Sequence, residues 1–336
     1  MFNLSIFGRK FLNLKYKKVR IGKYAISCAF RNILSYEFKF VYFYFLVRAV
    51  YSCLYKIDKF LEIKDSVLAM YVNETSYQNG VYRDLAIIYK IPFYTNGYPF
   101  DLVRFSGANN LQLDEYNLLN TKPSVDLERG KKKLMEIINE TEKIPHMSGV
   151  TFDNIDHGID FSDVYAVIYA HSFTDSQQEF CIDKSFINIL DWLKFTVENL
   201  KDKKIIIKAH PAFFVEGYKT MIVAWDKKIW NNFVSKYLKN RLIQIIDWPM
   251  RNLEFLKRLP KETLLISHHG NALLEGGELG FKCICSHATP WKKFDLFNSW
   301  SSREEYLSML KKKIKLKETN LNDVYQYVAN LYFGKN

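Results

Sequence analysis

Five short runs between residues 164 and 286 are built on consecutive apolar residues rather than on apolar residues at every second position. They are Val164–Ala170, Lys204–Lys208, Leu242–Ile246, Thr263–Ser267 and Lys282–Ser286. A strand with one face in water alternates, whereas an uninterrupted apolar strand must be covered on both faces. Helical stretches separate the runs, at Ile187–Leu200, around 226–239, at Asn252–Arg258 and at Ala272–Leu279. Strand and helix in that rhythm predict a doubly wound α/β sheet with parallel strands. Two more helices follow, at Ser302–Lys313 and Asn322–Tyr332, and Ser302-x-x-Glu305 opens the first with a capping-box pattern.

A single strand–helix–strand unit precedes this region. Ser66–Val72 reads as a buried strand, Tyr82–Lys90 as a helix, and Ile91–Asn96 as a second strand ended by Asn96-Gly97. Residues 113–160 are polar, with a lysine-rich helix from Gly130 to Glu142 and then a loop rich in Asp, Gly and His. At 336 residues the chain is long enough for two domains. The boundary is expected in or just after that loop: a helical segment at 1–60, an N-terminal α/β domain at 61–160 and a C-terminal one at 161–336. Apolar residues at 48% exclude a disordered chain, and no repeat suggests a solenoid or propeller.

Charge is concentrated at the start. Residues 1–60 hold twelve basic residues and two acidic ones, so they carry nearly all of the chain's net +12. Cations alternate there with Phe and Tyr, and the longest uncharged apolar stretch, Phe40–Val47, is closed by Arg48. A membrane-spanning helix needs about twenty apolar residues, so none is expected, and the recurring Lys and Arg do not make a secretory signal. Two readings stand: a plain helical subdomain with a solvated basic face, or a peripheral element that meets an anionic membrane surface. Nucleic-acid binding is not expected, because no helix-turn-helix, zinc-finger or RNP-like signature accompanies the patch. Five cysteines at unrelated spacings make neither a disulfide framework nor a paired zinc site. With no export signal they assign the cytosol, peripherally at the inner face of the cytoplasmic membrane.

Polar clusters sit at the carboxyl ends of the apolar runs, where open α/β sheets bind ligands. His171-Ser-Phe-Thr-Asp175 follows the first run, and Lys208-Ala-His210-Pro211 closes the second. The run Thr263–Ser267 leads into His268-His269-Gly270-Asn271, with Glu275 one turn into the next helix. There the glycine allows close backbone approach to a ligand, and the helix start offers N–H groups to a phosphate. The adjacent histidines lack a third ligand at a suitable local spacing, so no metal is expected. Gly276, Gly277 and Gly280 allow tight packing and a helix stop, and Cys283-x-Cys285 reads as one buried strand face. Ser286–Trp291 closes the last run with an aromatic residue.

These motifs together resemble bacterial capsule and surface-polysaccharide glycosyltransferases, the group that includes the capsular Kdo transferases. The resemblance rests on His171-x-Phe173-x-Asp175, on Lys208-Ala209-His210-Pro211, and on the turn and helix from Ser267 to Gly280. The stretch Asn73–Arg83 is similar to a region that those proteins place at their cleft. The resemblance covers residues 66–100 and 164–291. Two departures are Ala209, where many relatives carry Pro, and His268-His269-Gly270, where Kdo transferases tend to carry Ser or Thr.

The resemblance implies a GT-B architecture, with two Rossmann-like domains facing across a cleft and the donor nucleotide on the C-terminal side. It implies a glycosyltransferase that needs no cofactor beyond a nucleotide-activated sugar as donor substrate, with a growing polysaccharide or glycolipid as acceptor. Lys208, His210, Ser267, His269, Gly270, Asn271 and Glu275 would bind the donor. Glu74, His171, Asp175 and His210 are the catalytic candidates, Glu74 as the carboxylate from the N-terminal domain. The chain contains no Asp-x-Asp, which agrees with a metal-independent enzyme. One alternative is a glycerophosphate or phosphoryl transferase on the same fold. Another is a non-enzymatic membrane- or nucleic-acid-binding module acting through the basic arm.

Overall fold

A computed structural model describes residues 11, 13–32, 39–71, 79–96, 102–105, 126–139, 157–173, 185–186, 188–214, 221–289, 291 and 294–333. The chain divides into two compact units, with the main boundary between Lys122 and Pro123. It does not fall near residue 160. The lysine-rich segment forms α4 (Leu127–Asn139), which packs on the helix Leu321–Phe333 and so belongs to the second unit. Gly130 is where they meet. A Cβ there would lie 2.1 Å from the Tyr325 carbonyl oxygen, so only glycine permits this approach.

In the first unit a hairpin of β1 (Lys15–Tyr16) and β2 (Val19–Arg20) leads into α1 (Ile21–Asn32). Next come α2 (Lys39–Ile63), β3 (Met70–Tyr71), α3 (Gly80–Ile88), β4 (Phe93–Asn96) and β5 (Leu102–Phe105). Val19, Tyr24, Cys53, Ile57, Phe60, Val81 and Leu85 share one core. Residues 1–60 are therefore not a separate segment: α2 runs through position 60 and packs with α3. Strands β3 and β4 are parallel, as the strand–helix–strand pattern predicts, and β5 adds an antiparallel edge. Among the described residues this is a three-stranded mixed sheet rather than a doubly wound one. The expected buried strand Ser66–Val72 is also corrected. Residues 64–66 form a 3₁₀ turn, Leu68 is 89% exposed, and only Met70–Tyr71 pair. No alternation marked this run, and among the described residues nothing covers Leu68.

The second unit has the predicted architecture. After α4 it runs β6 (Ala166–Tyr169), α5 (Ile189–Leu200), β7 (Ile205–Lys208), α6 (Met221–Val234) and β8 (Ile243–Ile246). There follow α7 (Asn252–Lys257), β9 (Leu264–Ile266), α8 (Ala272–Glu278), β10 (Lys282–Ser286) and β11 (Asn298–Trp300). Finally come α9 (Arg303–Leu310) and α10 (Leu321–Phe333). All six strands are parallel and lie in the order β11-β10-β9-β6-β7-β8. Numbered by chain order within the sheet, this is 3-2-1-4-5-6, with the direction of winding reversing between β6 and β9.

Helices cover both faces. On one, Leu134, Phe255, Leu273 and Val328 pack on Val167, Ile206, Leu265 and Cys283. On the other, Trp192 of α5 stacks on Trp300 at 6.4 Å, and Trp300 meets Tyr306 of α9 at 4.1 Å. Ser302 caps α9 by accepting from the Glu305 amide at 3.1 Å. The Glu305 carboxylate reaches back to the Ser301 amide, one residue earlier than in the usual capping box. Strand β11 escapes the pattern because Asn-Ser-Trp is not an apolar run. It is fastened instead by Asn298, whose amide donates to the carbonyls of Cys283 and Lys317.

Candidate functional site

The reversal point of a doubly wound sheet leaves a crevice beyond the carboxyl ends of its central strands, because connections leave to opposite faces there. Here those strands are β6, β7 and β9. Tyr169 is the ladder partner of Lys208, and Ile168 is the partner of both Ile207 and Ile266. Side chains two residues apart along a strand share a face. Tyr169, Lys208 and Ser267 thus form one tier, and His171, His210 and His269 form the next tier beyond it. The rings meet: His171 lies 4.3 Å from His269 and 5.0 Å from His210, centroid to centroid. Each of these histidines ends a different run, so sequence spacing alone does not bring them together.

His268 faces the other way, against Trp192 and Trp300, at 6.0 and 5.7 Å. Its Nδ1 is 2.7 Å from Nδ1 of His269, so one nitrogen donates and the other accepts. Burial, with His171, His268 and His210 nearby, holds the His269 pKa well below the usual imidazole value. His269 is therefore neutral at pH 7. His171 and His210 are half-buried and lie nearer to solvent.

The tier beneath is polar and enclosed. The Lys208 ammonium donates to the Met250 carbonyl at 2.9 Å and lies over the Phe255 ring. Desolvation lowers its pKa to about 8, against the attraction of Glu275. Asn252 donates to Glu275 at 3.0 Å, and burial raises the Glu275 pKa to about 7. Both charged residues are expected from sequence to touch a donor, but the structure places them as supports below the histidines. Their polar atoms are engaged with, or enclosed by, α7 and the segment before it.

Ser267 is also turned inward, and its hydroxyl accepts from the Gly270 amide at 3.0 Å. A Cβ on Gly270 would fall 2.6 Å from that hydroxyl. The close approach at Gly270 in this structure is thus to the Ser267 side chain. Asn271 is exposed at the start of α8, and its side chain makes no capping hydrogen bond. Gly276 presses on Leu265, where a Cβ would lie 2.1 Å from Cδ1, and Gly280 takes the left-handed φ of +82° that ends α8. Cys283, Cys285 and Trp291 are core residues.

Sequence reasoning missed two residues. Asp226 of α6 is buried and accepts from the Ser172 hydroxyl and from the Phe173 amide, holding the loop that carries His171. Asn252 of α7 holds Glu275. Its being the lone acid of its helix was the only signal for Asp226, and Asn252 had none. Phe173 further stacks on Phe213 at 6.0 Å, which couples this loop to the turn after His210. Glu74 and Asp175 lie outside the described residues. Among the described residues no three His, Cys, Asp or Glu side chains are grouped to hold a metal ion.

Two half-buried imidazoles beside a neutral one can hydrogen-bond an anion. No family model matches the chain, and no curated protein matches it. Among solved structures it is similar to Thermosulfurimonas dismutans KpsC, a beta Kdo 2,4 transferase. That match covers 77% of this chain and 78% of the other, at 11% identity and a TM-score of 0.47, a likeness too remote to carry functional weight.

Proposed function

We propose that the chain is a nucleotide-sugar-dependent glycosyltransferase of surface-polysaccharide assembly. The observation that carries this reading is the tier of His171, His210 and His269 at the reversal point of the sheet. The motifs shared with capsule glycosyltransferases support it. In this reading the donor's phosphate lies beyond the histidine tier, next to Asn271. The acceptor hydroxyl attacks the anomeric carbon as the bond to the phosphate oxygen breaks, and negative charge develops on the departing nucleotide. His210, half-buried, hydrogen-bonds that oxygen through a ring N–H. A well-placed donor of this kind lowers the barrier by about 2.7–4 kcal/mol. A carboxylate, with Glu74 and Asp175 as candidates, takes the acceptor proton. Lys208 and Glu275 support the tier from below, and no cofactor is required.

The test is thermal unfolding of purified protein with CMP, CDP, UDP and GDP, repeated with His210→Ala. A nucleotide at one hundred times its dissociation constant adds about 2.7 kcal/mol of stability. One nucleotide should raise the midpoint in the parent chain and not in the variant. No shift with any nucleotide would sink the reading. A shift with CDP, followed by glycerophosphate rather than sugar transfer from the matching donor, would favour the phosphoryl-transferase alternative on the same site.

A further inference from the structure

Helix α2 has two apolar faces, and among the described residues only one of them is packed. Ala49, Cys53, Ile57 and Phe60 recur at helical spacing and pack into the first unit's core. On the opposite side Tyr44, Val47, Tyr51 and Tyr55 follow the same spacing and are 50–70% exposed. A core helix does not need the second stripe, and four large apolar residues in one row over three turns are more than scattered surface exposure. No helix among the described residues is long and apolar enough to cross a membrane, so this stripe is not part of a spanning segment.

The charges around the stripe indicate its partner. Arg48 lies beside it with its guanidinium over the Tyr44 ring. The β1–β2 turn presents Lys17 and Lys18, and Lys17 and Tyr16 both bind Asp58, the acid on this side of α2. At this end Glu62 is paired with Lys59, and Asp65 with Lys64. The described carboxylates are thus matched, while Arg48 and Lys18 are among the ten excess positive charges of the first sixty residues. Tyrosines, whose rings are apolar and whose hydroxyls are polar, and cations flanking them suit the headgroup region of an anionic bilayer.

We infer that the exposed face of α2 docks the protein on an anionic lipid surface, with the tyrosine rings at headgroup depth and the helix lying flat. This interaction is independent of the histidine tier, which belongs to the other unit.

The experiment is flotation of the full chain with vesicles of phosphatidylcholine alone and of phosphatidylcholine with phosphatidylglycerol. The double variant Tyr51→Ser/Tyr55→Ser and Arg48→Glu are run beside it. Circular dichroism and the unfolding midpoint check that each variant folds, and light scattering checks the oligomeric state. The parent chain should float only with the phosphatidylglycerol vesicles and detach as salt shortens the Debye length. The double variant should bind about tenfold more weakly or less, with its fold intact. Failure of the parent to float would overturn the inference, as would undiminished binding by the folded double variant. A parent dimer that the double variant dissociates, without vesicle binding, would assign the stripe to a second copy of the chain instead.

Discussion

The run Val164–Ala170 and the run Ser66–Val72 look alike in sequence, yet they have opposite fates. The first becomes β6, wholly buried at the centre of six strands with helices on both faces. The second yields a two-residue strand beside an exposed Leu68. An apolar run states a demand for cover but does not supply it. In the second unit, five such runs and their helices meet that demand for one another. Among the described residues of the first unit, only a two-stranded hairpin and a three-stranded sheet form, and part of the apolar surface remains open.

The largest expected effect comes from the well-covered sheet. Trp192→Ala removes a fully buried ring stacked on Trp300, and it should lower unfolding free energy by about 3–5 kcal/mol in a denaturant titration. A loss under 1 kcal/mol would mean that α5 is not part of the core. Gly130→Ala comes next. An alanine gains helix propensity of up to about 1 kcal/mol, but its methyl must displace the Tyr325 carbonyl. A net loss of about 1–3 kcal/mol is expected, and a more stable variant would refute the tight crossing of α4 and α10.

A subtler difference concerns Glu275, whose pKa rises from 4.5 to about 7 on folding. The folded state binds the extra proton, so this group's contribution is fully present below about 4.5 and is lost as pH rises through about 7. Glu275→Gln should therefore flatten the fall in unfolding midpoint between pH 5 and pH 8, and an unchanged pH profile would show that Glu275 is solvated. Smallest of all, Leu68→Ser should move stability by no more than about 0.5 kcal/mol. A larger loss would show that residues around β3 are covered after all.

The same contrast explains what was legible beforehand. Strands β6 to β10 could be read because double-sided burial leaves a pattern that does not depend on neighbours. His171, His210 and His269 could be read as strand ends for the same reason. Their convergence could not, since it depends on β6 lying between β9 and β7, and strand order leaves no local trace. Lys208, Ser267 and Glu275 were identified as polar but not as inward-facing. That difference is decided by Met250, Gly270 and Asn252, which lie on other elements or in the turn. Gly130 looked like an ordinary position in a lysine-rich helix, and its partner is a backbone carbonyl far along the chain.

The pairing of α4 with α10 also bears on how the protein is made. Leu134 and Ile138 emerge from the ribosome before β6, but the surface they pack against includes a helix that appears only after β11. Until then α4 has an unfilled apolar side, and β6 waits for β9 across the intervening β7 and β8. Such long-range closure is slow and leaves sticky intermediates. Emergence of α10 should thus be the step at which the second unit becomes resistant to protease, and nascent chains halted before residue 321 should depend most on chaperones.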